Sequence, residues 1–213
     1  MIIQCDFDGT IIRNNLSIVL RERFAPAVWK KTESDYVAGR LTVEQSNMLQ
    51  FALIKESKEK LQEYVYQHIE VRQGFVEFTN YCRESDIPLV IISSGLDFYI
   101  EPVLAEIGMS DLELHCGKTT FKDDGIVVSY FDPQGNVIDE GFKEKYVTWF
   151  KKENEDVVYL GDGLSDRVAA RQATHVFATG NLQAILNSES IDYYPFTDFF
   201  DVLSEVRHLN KVA

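Results

Sequence analysis

Two short acidic segments stand far apart in the chain: Asp6-Phe7-Asp8-Gly9-Thr10 and Gly161-Asp162-Gly163-Leu164-Ser165-Asp166. Each follows an apolar run, residues 1–5 and 157–160, that reads as a buried parallel strand. Ligands in open α/β sheets bind beyond the carboxyl ends of the strands, so both segments are expected at one site. The carboxylates of Asp6, Asp8, Asp162 and Asp166 would repel one another there. A hard cation such as Mg²⁺ prefers carboxylate oxygen and relieves that repulsion. The two segments together therefore point to Mg²⁺-assisted phosphoryl chemistry. Either one alone reads as a polar turn, since Asp and Gly are common turn residues.

Further groups suit the same chemistry. An aspartate can act as a covalent nucleophile, dividing a hard phosphoryl transfer into two easier steps through an aspartyl-phosphate. Ile91-Ile92-Ser93-Ser94-Gly95 reads as a buried strand ending in hydroxyls. Ser93 or Ser94, with the Gly95 amide, could donate to phosphate oxygens whose charge must be balanced in the transition state. Phe142-Lys143-Glu144-Lys145 opens a helical pattern and offers two ammonium groups. A lysine ammonium is a compact charge suited to neutralising phosphate and a nearby carboxylate.

The elements that must position these groups are legible in the hydrophobic pattern. Residues 14–73 read as helical throughout, with apolar stripes at Leu16, Val19, Leu20 and Phe24, at Val43, Met48, Leu49 and Leu53, and at Leu61, Tyr64, Val65 and His68. Thr42 is a plausible N-cap. A strand-helix alternation follows: helix from Phe75, strand 88–92, helix 96–107 with a break or kink expected at Pro102. Residues 112–131 are rich in β-formers, with Asp124-Gly125 as a turn signal. Helix 142–152, strand 156–160, helix 164–172, strand 175–178 and helix 198–208 complete the pattern. This alternation implies an α/β fold with a doubly wound parallel sheet, interrupted by an all-helical block.

Composition narrows the partners. With 21 basic and 34 acidic residues among 213, the formal net charge is −13. That argues against a general nucleic-acid or anionic-membrane binder, which would need a basic footprint. It leaves room for a small anionic substrate met by local cations. The sequence has no apolar stretch of about 18 residues and no basic, then apolar, leader. Cys5, Cys82 and Cys116 are odd in number and lack metal-ligand spacing. They read as reduced thiols of a cytoplasmic protein, with Cys5 turned into the core by strand alternation. His68, His115, His175 and His208 also match no metal spacing. Tyr193-Tyr194-Pro195-Phe196 reads as core or an interface edge.

The acidic segments, the serine strand and the lysine helix, in this order, resemble the haloacid dehalogenase superfamily of phosphatases and phosphotransferases. The resemblance implies a Rossmann-like catalytic core from residues 1–12 and 74–213, with residues 13–73 as a helical cap that selects the leaving group. It implies Asp6 as nucleophile and Asp8 as general acid and base. The Mg²⁺ ligands are then Asp6, the Asp8 backbone carbonyl, Asp162 and Asp166, the last as ligand or anchor. Ser93 aligns best with the family's phosphate-binding serine, with Ser94 adjacent and Gly95 supplying an amide, and Lys143 fits the family's lysine. The helical block after the first strand resembles the phosphoserine phosphatase-like branch. Phe24-Ala25-Pro26-Ala27-Val28-Trp29, Arg72-Gln73-Gly74-Phe75 and Ile92-Ser93-Ser94-Gly95-Leu96-Asp97-Phe98 resemble the methionine-salvage phosphatases, which act on a phosphorylated methylthio keto-enol.

The chain departs from both groups. Phosphoserine phosphatases carry a glutamate where Asn15 falls, beside Arg13 and Asn14, and no arginine matches their carboxylate ligand near Met48 and Leu49. Phosphoserine is therefore disfavoured, and Asn15 becomes a candidate for substrate selection. The methionine-salvage group carries a Cys-rich loop before the lysine, whereas residues 121–142 hold no Cys. The expected function is Mg²⁺-dependent hydrolysis of a small phosphorylated metabolite. The alternatives are phosphotransfer or mutase chemistry from the same aspartate, and a non-catalytic phosphate-binding domain, which would not need both Asp6 and Asp8.

Overall fold

The computed structural model describes residues 1–153 and 156–212. Its strands are β1 (Ile2–Cys5), β2 (Leu89–Leu96), β3 (Glu113–Lys122), β4 (Gly125–Phe131), β5 (Val137–Ile138), β6 (Val157–Gly161), β7 (His175–Ala178) and β8 (Tyr194–Pro195). They form one sheet in the order β5-β4-β3-β2-β1-β6-β7-β8. The six strands from β3 to β8 in that order pair in parallel, and β4 and β5 add an antiparallel edge. The sheet is thus mixed. β1, β2 and β6 are buried along their whole length, as strands covered on both faces must be. β1 lies between the other two, with Cys5 level with Ile91 and Leu160. The residues just beyond these three strands therefore emerge together on one edge.

The helices are α1 (Leu16–Phe24), α2 (Trp29–Val37), α3 (Val43–Phe51), α4 (Lys58–Tyr66), α5 (Phe75–Glu84), α6 (Asp97–Glu106), α7 (Phe142–Lys152), α8 (Arg167–Gln172), α9 (Gly180–Ser188) and α10 (Phe199–Val212). A single 3-10 turn, Leu164–Asp166, precedes α8. Helices α1 to α4 occupy the stretch between β1 and α5. Three have side-chain N-caps: Asn15 accepts from the Ile18 amide, Thr42 forms a capping box with Gln45, and Ser57 accepts from the Lys60 amide. The two chain passages joining this block to the sheet are tied together. Ile12 bridges Val71, the Arg13 amide donates to the Glu70 carbonyl at 2.8 Å, and Asn14 Nδ2 donates to the His68 carbonyl at 2.8 Å.

Several expectations change here. The α3 stripe is not the apolar one: Leu49 is exposed, and the inward face carries Glu44, Ser46, Asn47, Gln50 and Phe51. On α1 the buried face is Leu16, Ser17, Leu20 and Arg21, so it includes two polar residues. Both helices turn polar groups inward where they line a polar cavity, while Leu16, Leu20 and Phe51 join the hydrophobic core. Helix α6 runs through Pro102. Proline cannot donate to the carbonyl four residues back, and that carbonyl, on Phe98, instead accepts from Gln62 Nε2 at 2.6 Å. The two-residue strands β5 and β8 are too short to show a period in sequence, and helix α9 is an unanticipated element.

Candidate active site

Alternation along β1 sets the direction of the first acidic segment. Cys5 and Phe7 are wholly buried, and Asp6 and Asp8 turn to the opposite side. The chain then bends back on itself: the Phe7 carbonyl accepts the amides of Thr10, Ile11 and Ile12 at 3.2, 2.9 and 3.1 Å. Gly9 makes this bend at φ +80°, and a Cβ there would lie 2.1 Å from Asp162 Oδ2. Glycine is what lets the two acidic segments approach so closely. Buried Arg72 clamps the bend, donating to the carbonyls of Thr10 at 2.7 Å, Gly9 at 2.6 Å and Thr197 at 2.7 Å.

The second acidic segment leaves β6 beside it. Ligand oxygens of Asp6, Asp162 and Asp166 lie within 4.8 Å of one another. One ammonium serves this group. Lys143, in the first turn of α7, places Nζ 2.7 Å from Asp6 Oδ1 and 2.6 Å from Asp166 Oδ1. Burial alone would lower the Lys143 pKa, but the Asp166 and Asp6 charges outweigh it and push it up. Burial raises the pKa of both Asp6 and Asp162, and their like-charged neighbours raise them further, despite the positive charge of Lys143, which is paired with Asp6. The Asp162 carboxylate has no hydrogen-bond or salt-bridge partner among the described residues. Buried negative charge in excess, with one carboxylate left unpaired, is the chemistry of a divalent cation site.

Asp166 is differently employed. Its Oδ1 accepts from Lys143 Nζ and from Tyr159 OH at 2.6 Å, and its Oδ2 accepts the Asp162 and Gly163 amides at 2.9 Å each. Asp166 thus ties the Asp162 loop to Tyr159 and Lys143. Its place beside Gly161 also explains that glycine, since a Cβ would lie 2.5 Å from Asp166 Cγ.

Asp8 faces the same cavity. Its Oδ1 accepts the Leu16 amide at 2.8 Å, and its Oδ2 accepts from Tyr99 OH at 2.5 Å. Burial raises its pKa to about 6, and the Tyr99 and Leu16 donors oppose a larger rise. At the end of β2, Ser93 Oγ accepts the Gly95 amide at 3.0 Å, which leaves the Ser93 hydroxyl proton free to donate. That bond occupies the Gly95 amide, so Gly95 orients Ser93. Ser94 Oγ is buried without a partner among the described residues. The Ser94 carbonyl is held by Asn47 Nδ2 at 2.8 Å and Tyr130 OH at 2.6 Å.

Asp6, Asp8, Ser93, Ser94, Gly95, Lys143 and Asp162 line a cavity of about 310 Å³ between the strand ends and the inner faces of α1 to α3, whereas Asp166 is wholly buried and does not line it. Asn15 reaches it, although its Oδ1 caps α1. Arg13 and Asn14 do not line it; they serve the paired chain passages. Lys145 also lies outside it.

Sequence reasoning missed Arg21. It is buried in the cavity wall between the rings of Trp29 and Phe51, at 5.6 and 5.8 Å from their centroids. Its Nη1 donates to Asn47 Oδ1 at 3.0 Å and to Gln50, while Glu33 stands 3.9 Å from Nη2 and Nε has no partner among the described residues. The available signal was its spacing: Arg21 lies one turn after Ser17, on the face that begins with Leu16.

Comparison with known proteins agrees with this arrangement. A family profile described as haloacid dehalogenase-like hydrolase matches residues 3–171. The chain is 29% identical over 218 residues to a 2-hydroxy-3-keto-5-methylthiopentenyl-1-phosphate phosphatase of Geobacillus thermodenitrificans, covering 100% of this chain and 98% of that one. It is 26% identical over 215 residues to the Bacillus pumilus protein of the same name, covering 99% and 93%. Among solved structures, a phospho-aspartyl intermediate analogue of phosphoserine phosphatase superposes with a TM-score of 0.69 at 22% identity, over 96% of this chain and 97% of that one.

Proposed function

The chain belongs to the haloacid dehalogenase-like hydrolases and is a phosphatase of that family, and from that premise we propose how its residues divide the work. The reading rests on one observation above all: Asp6 and Asp8, two residues apart, face one cavity whose floor carries Lys143 and a surplus of carboxylate. Asp6 attacks the phosphorus of a phosphomonoester. As the aspartyl-phosphate bond forms, the ester oxygen leaves with the proton of Asp8. Asp8, now a carboxylate, takes a proton from water, and the hydroxide oxygen displaces phosphate from Asp6. Lys143 and the Ser93 hydroxyl balance charge on the phosphoryl oxygens, with Ser94 Oγ as a further donor and Gly95 holding Ser93 in place.

Asp6, the Asp8 carbonyl and Asp162 would hold Mg²⁺, with Asp166 fixing their loop. Mg²⁺ supplies charge neutralisation between Asp6 and the phosphoryl group. We assign residues 13–73 as a cap over the core of 1–12 and 74–213, and the cytoplasm as its location. No helix among the described residues is long and apolar enough to cross a membrane.

The mixed polar and apolar lining of the cavity suits a small leaving group that carries both oxygens and an apolar tail. Arg21 supplies a polar contact, and Ile18, Val37 and Val43 an apolar wall. A phosphorylated methylthio keto-enol, the substrate in the relatives' name, has that character. Asn15 stands at the cavity as a secondary selector. The test is phosphate release from a panel including this ester, phosphoserine and p-nitrophenyl phosphate, with Mg²⁺ and after chelation. Preference for the keto-enol ester supports the substrate assignment, and preference for phosphoserine removes it.

A further inference from the structure

The general acid does not stand alone in its loop. Tyr99, in the first turn of α6, is wholly buried, and its hydroxyl lies 2.5 Å from Asp8 Oδ2 and 2.7 Å from Ser17 Oγ. A phenol has one proton. Tyr99 gives it to Asp8, so Ser17 donates to Tyr99. The Leu16 amide meets the other Asp8 oxygen at 2.8 Å. Both oxygens are thus held, one by the first turn of α1 and one by α6, with Ser17 of α1 steadying the phenol. The chain also makes room for the pair. A Cβ on Gly95 would lie 2.4 Å from the Tyr99 hydroxyl and 2.8 Å from Asp8 Oδ2.

We propose that Tyr99 is a positioning residue for Asp8, and that Ser17 makes this hold depend on α1 being seated against α6. The inference rests on the role given to Asp8 under Proposed function. Once Asp8 has passed its proton to the leaving oxygen, it is a buried anion close to the phosphorylated Asp6. The Tyr99 and Leu16 donors meet that anion without reorganisation and fix its rotamer, so its remaining lone pairs point at the leaving oxygen and then at water. Without Tyr99 the carboxyl can turn away, and proton delivery suffers while nucleophilic attack by Asp6 does not.

A purely structural tyrosine would predict something different, and leaving-group dependence separates the two. p-Nitrophenyl phosphate releases a stable phenolate and needs little protonation. Benzyl phosphate, similar in size, releases an alkoxide and needs the acid. Full general acid catalysis is worth about 10²–10⁴-fold, so loss of one orienting bond is expected to take a part of that. Tyr99→Phe should lower kcat/KM for benzyl phosphate about tenfold and for p-nitrophenyl phosphate less than about threefold. Ser17→Ala should show the same pattern more weakly, and it keeps the test available if Tyr99→Phe fails to fold. Equal losses on both esters, or no loss on either, overturn the inference while leaving the phosphatase reading intact. A wild-type protein that cleaves neither ester with Mg²⁺ overturns the reading itself and this inference with it. Cleavage of the aryl ester alone means that Asp8 is not delivering a proton, which also overturns the inference.

Discussion

The Lys143 ammonium and the Asp6 carboxylate lie 2.7 Å apart, and both side chains are almost wholly out of water. The same ammonium reaches Asp166 at 2.6 Å. Among the described residues, Lys143 is thus the one side-chain cation that pairs with both acidic segments. Replacing it removes the charge that faces the phosphoryl group and leaves buried carboxylates uncompensated. Lys143→Met should lower kcat/KM for every substrate by about 10²–10³-fold, the cost of losing one preorganised charge partner. It should also destabilise the fold by about 3–5 kcal/mol, as expected when one member of a buried pair is lost. Chemical denaturation and a substrate panel measure the two effects separately. A loss confined to some substrates would place Lys143 in the leaving-group pocket instead.

Stability should depend on pH and metal together. The folded-state pKa values of Asp6 and Asp162 are raised from 3.8 to about 7 and about 8, by burial and then by neighbouring carboxylates. A raised carboxyl stabilises the fold fully below its unfolded value and loses that contribution as pH climbs through the folded value. The metal-free protein should therefore melt at progressively lower temperature from pH 5 to pH 8.5, at about 2–4 °C for each kcal/mol lost. Mg²⁺ binds the deprotonated carboxylates, so it should raise the melting temperature more at pH 8 than at pH 5. Equal stabilisation at both pH values would mean that the cation binds elsewhere.

Under the proposed function, Arg21 is the first candidate for leaving-group selection, because it stands in the cavity wall. Its Nε, without a hydrogen-bond partner among the described residues, and its weakly paired Nη2 form one edge of a guanidinium held by Asn47, Gln50, Trp29 and Phe51. A charged hydrogen bond of about 1.5–3 kcal/mol corresponds to about 10–100-fold in rate. Arg21→Met should impose that loss on esters whose leaving group carries carbonyl or enol oxygens, and spare p-nitrophenyl phosphate. Asn15→Ala should alter the ranking less and cost about 1 kcal/mol of stability through the lost N-cap. Steady-state kinetics across one panel decide whether the order of the two effects is right.

The floor of the cavity was largely legible in the sequence because it hangs on strand ends. Asp6, Asp8, Ser93 and Asp162 each follow a short apolar run, and parallel pairing of β1, β2 and β6 brings them to one edge. Residue type offered Lys143 and Lys145, the resemblance favoured Lys143, and Lys143 is the one buried against Asp6. The cavity wall was not legible. Helices α1 and α3 bury polar residues, so an apolar-stripe reading chose the wrong face on α3 and passed over Ser17, Arg21 and Asn47. Tyr99 was hidden for another reason: an aromatic in a buried helix reads as core until its hydroxyl partner is known. The Phe98 carbonyl freed by Pro102 finds its donor on Gln62, in a helix far away in sequence, and local sequence cannot announce such a partner.

The most direct test of the account asks whether phosphate passes through Asp6. Wild-type protein with Mg²⁺ and a phosphomonoester is quenched in acid during turnover, digested and analysed by mass spectrometry, with Asp6→Asn treated in parallel. The account predicts a phosphorylated peptide with the phosphate on Asp6, and neither phosphopeptide nor phosphate release from a folded Asp6→Asn protein. Phosphate on another residue, or undiminished turnover by Asp6→Asn, would contradict it.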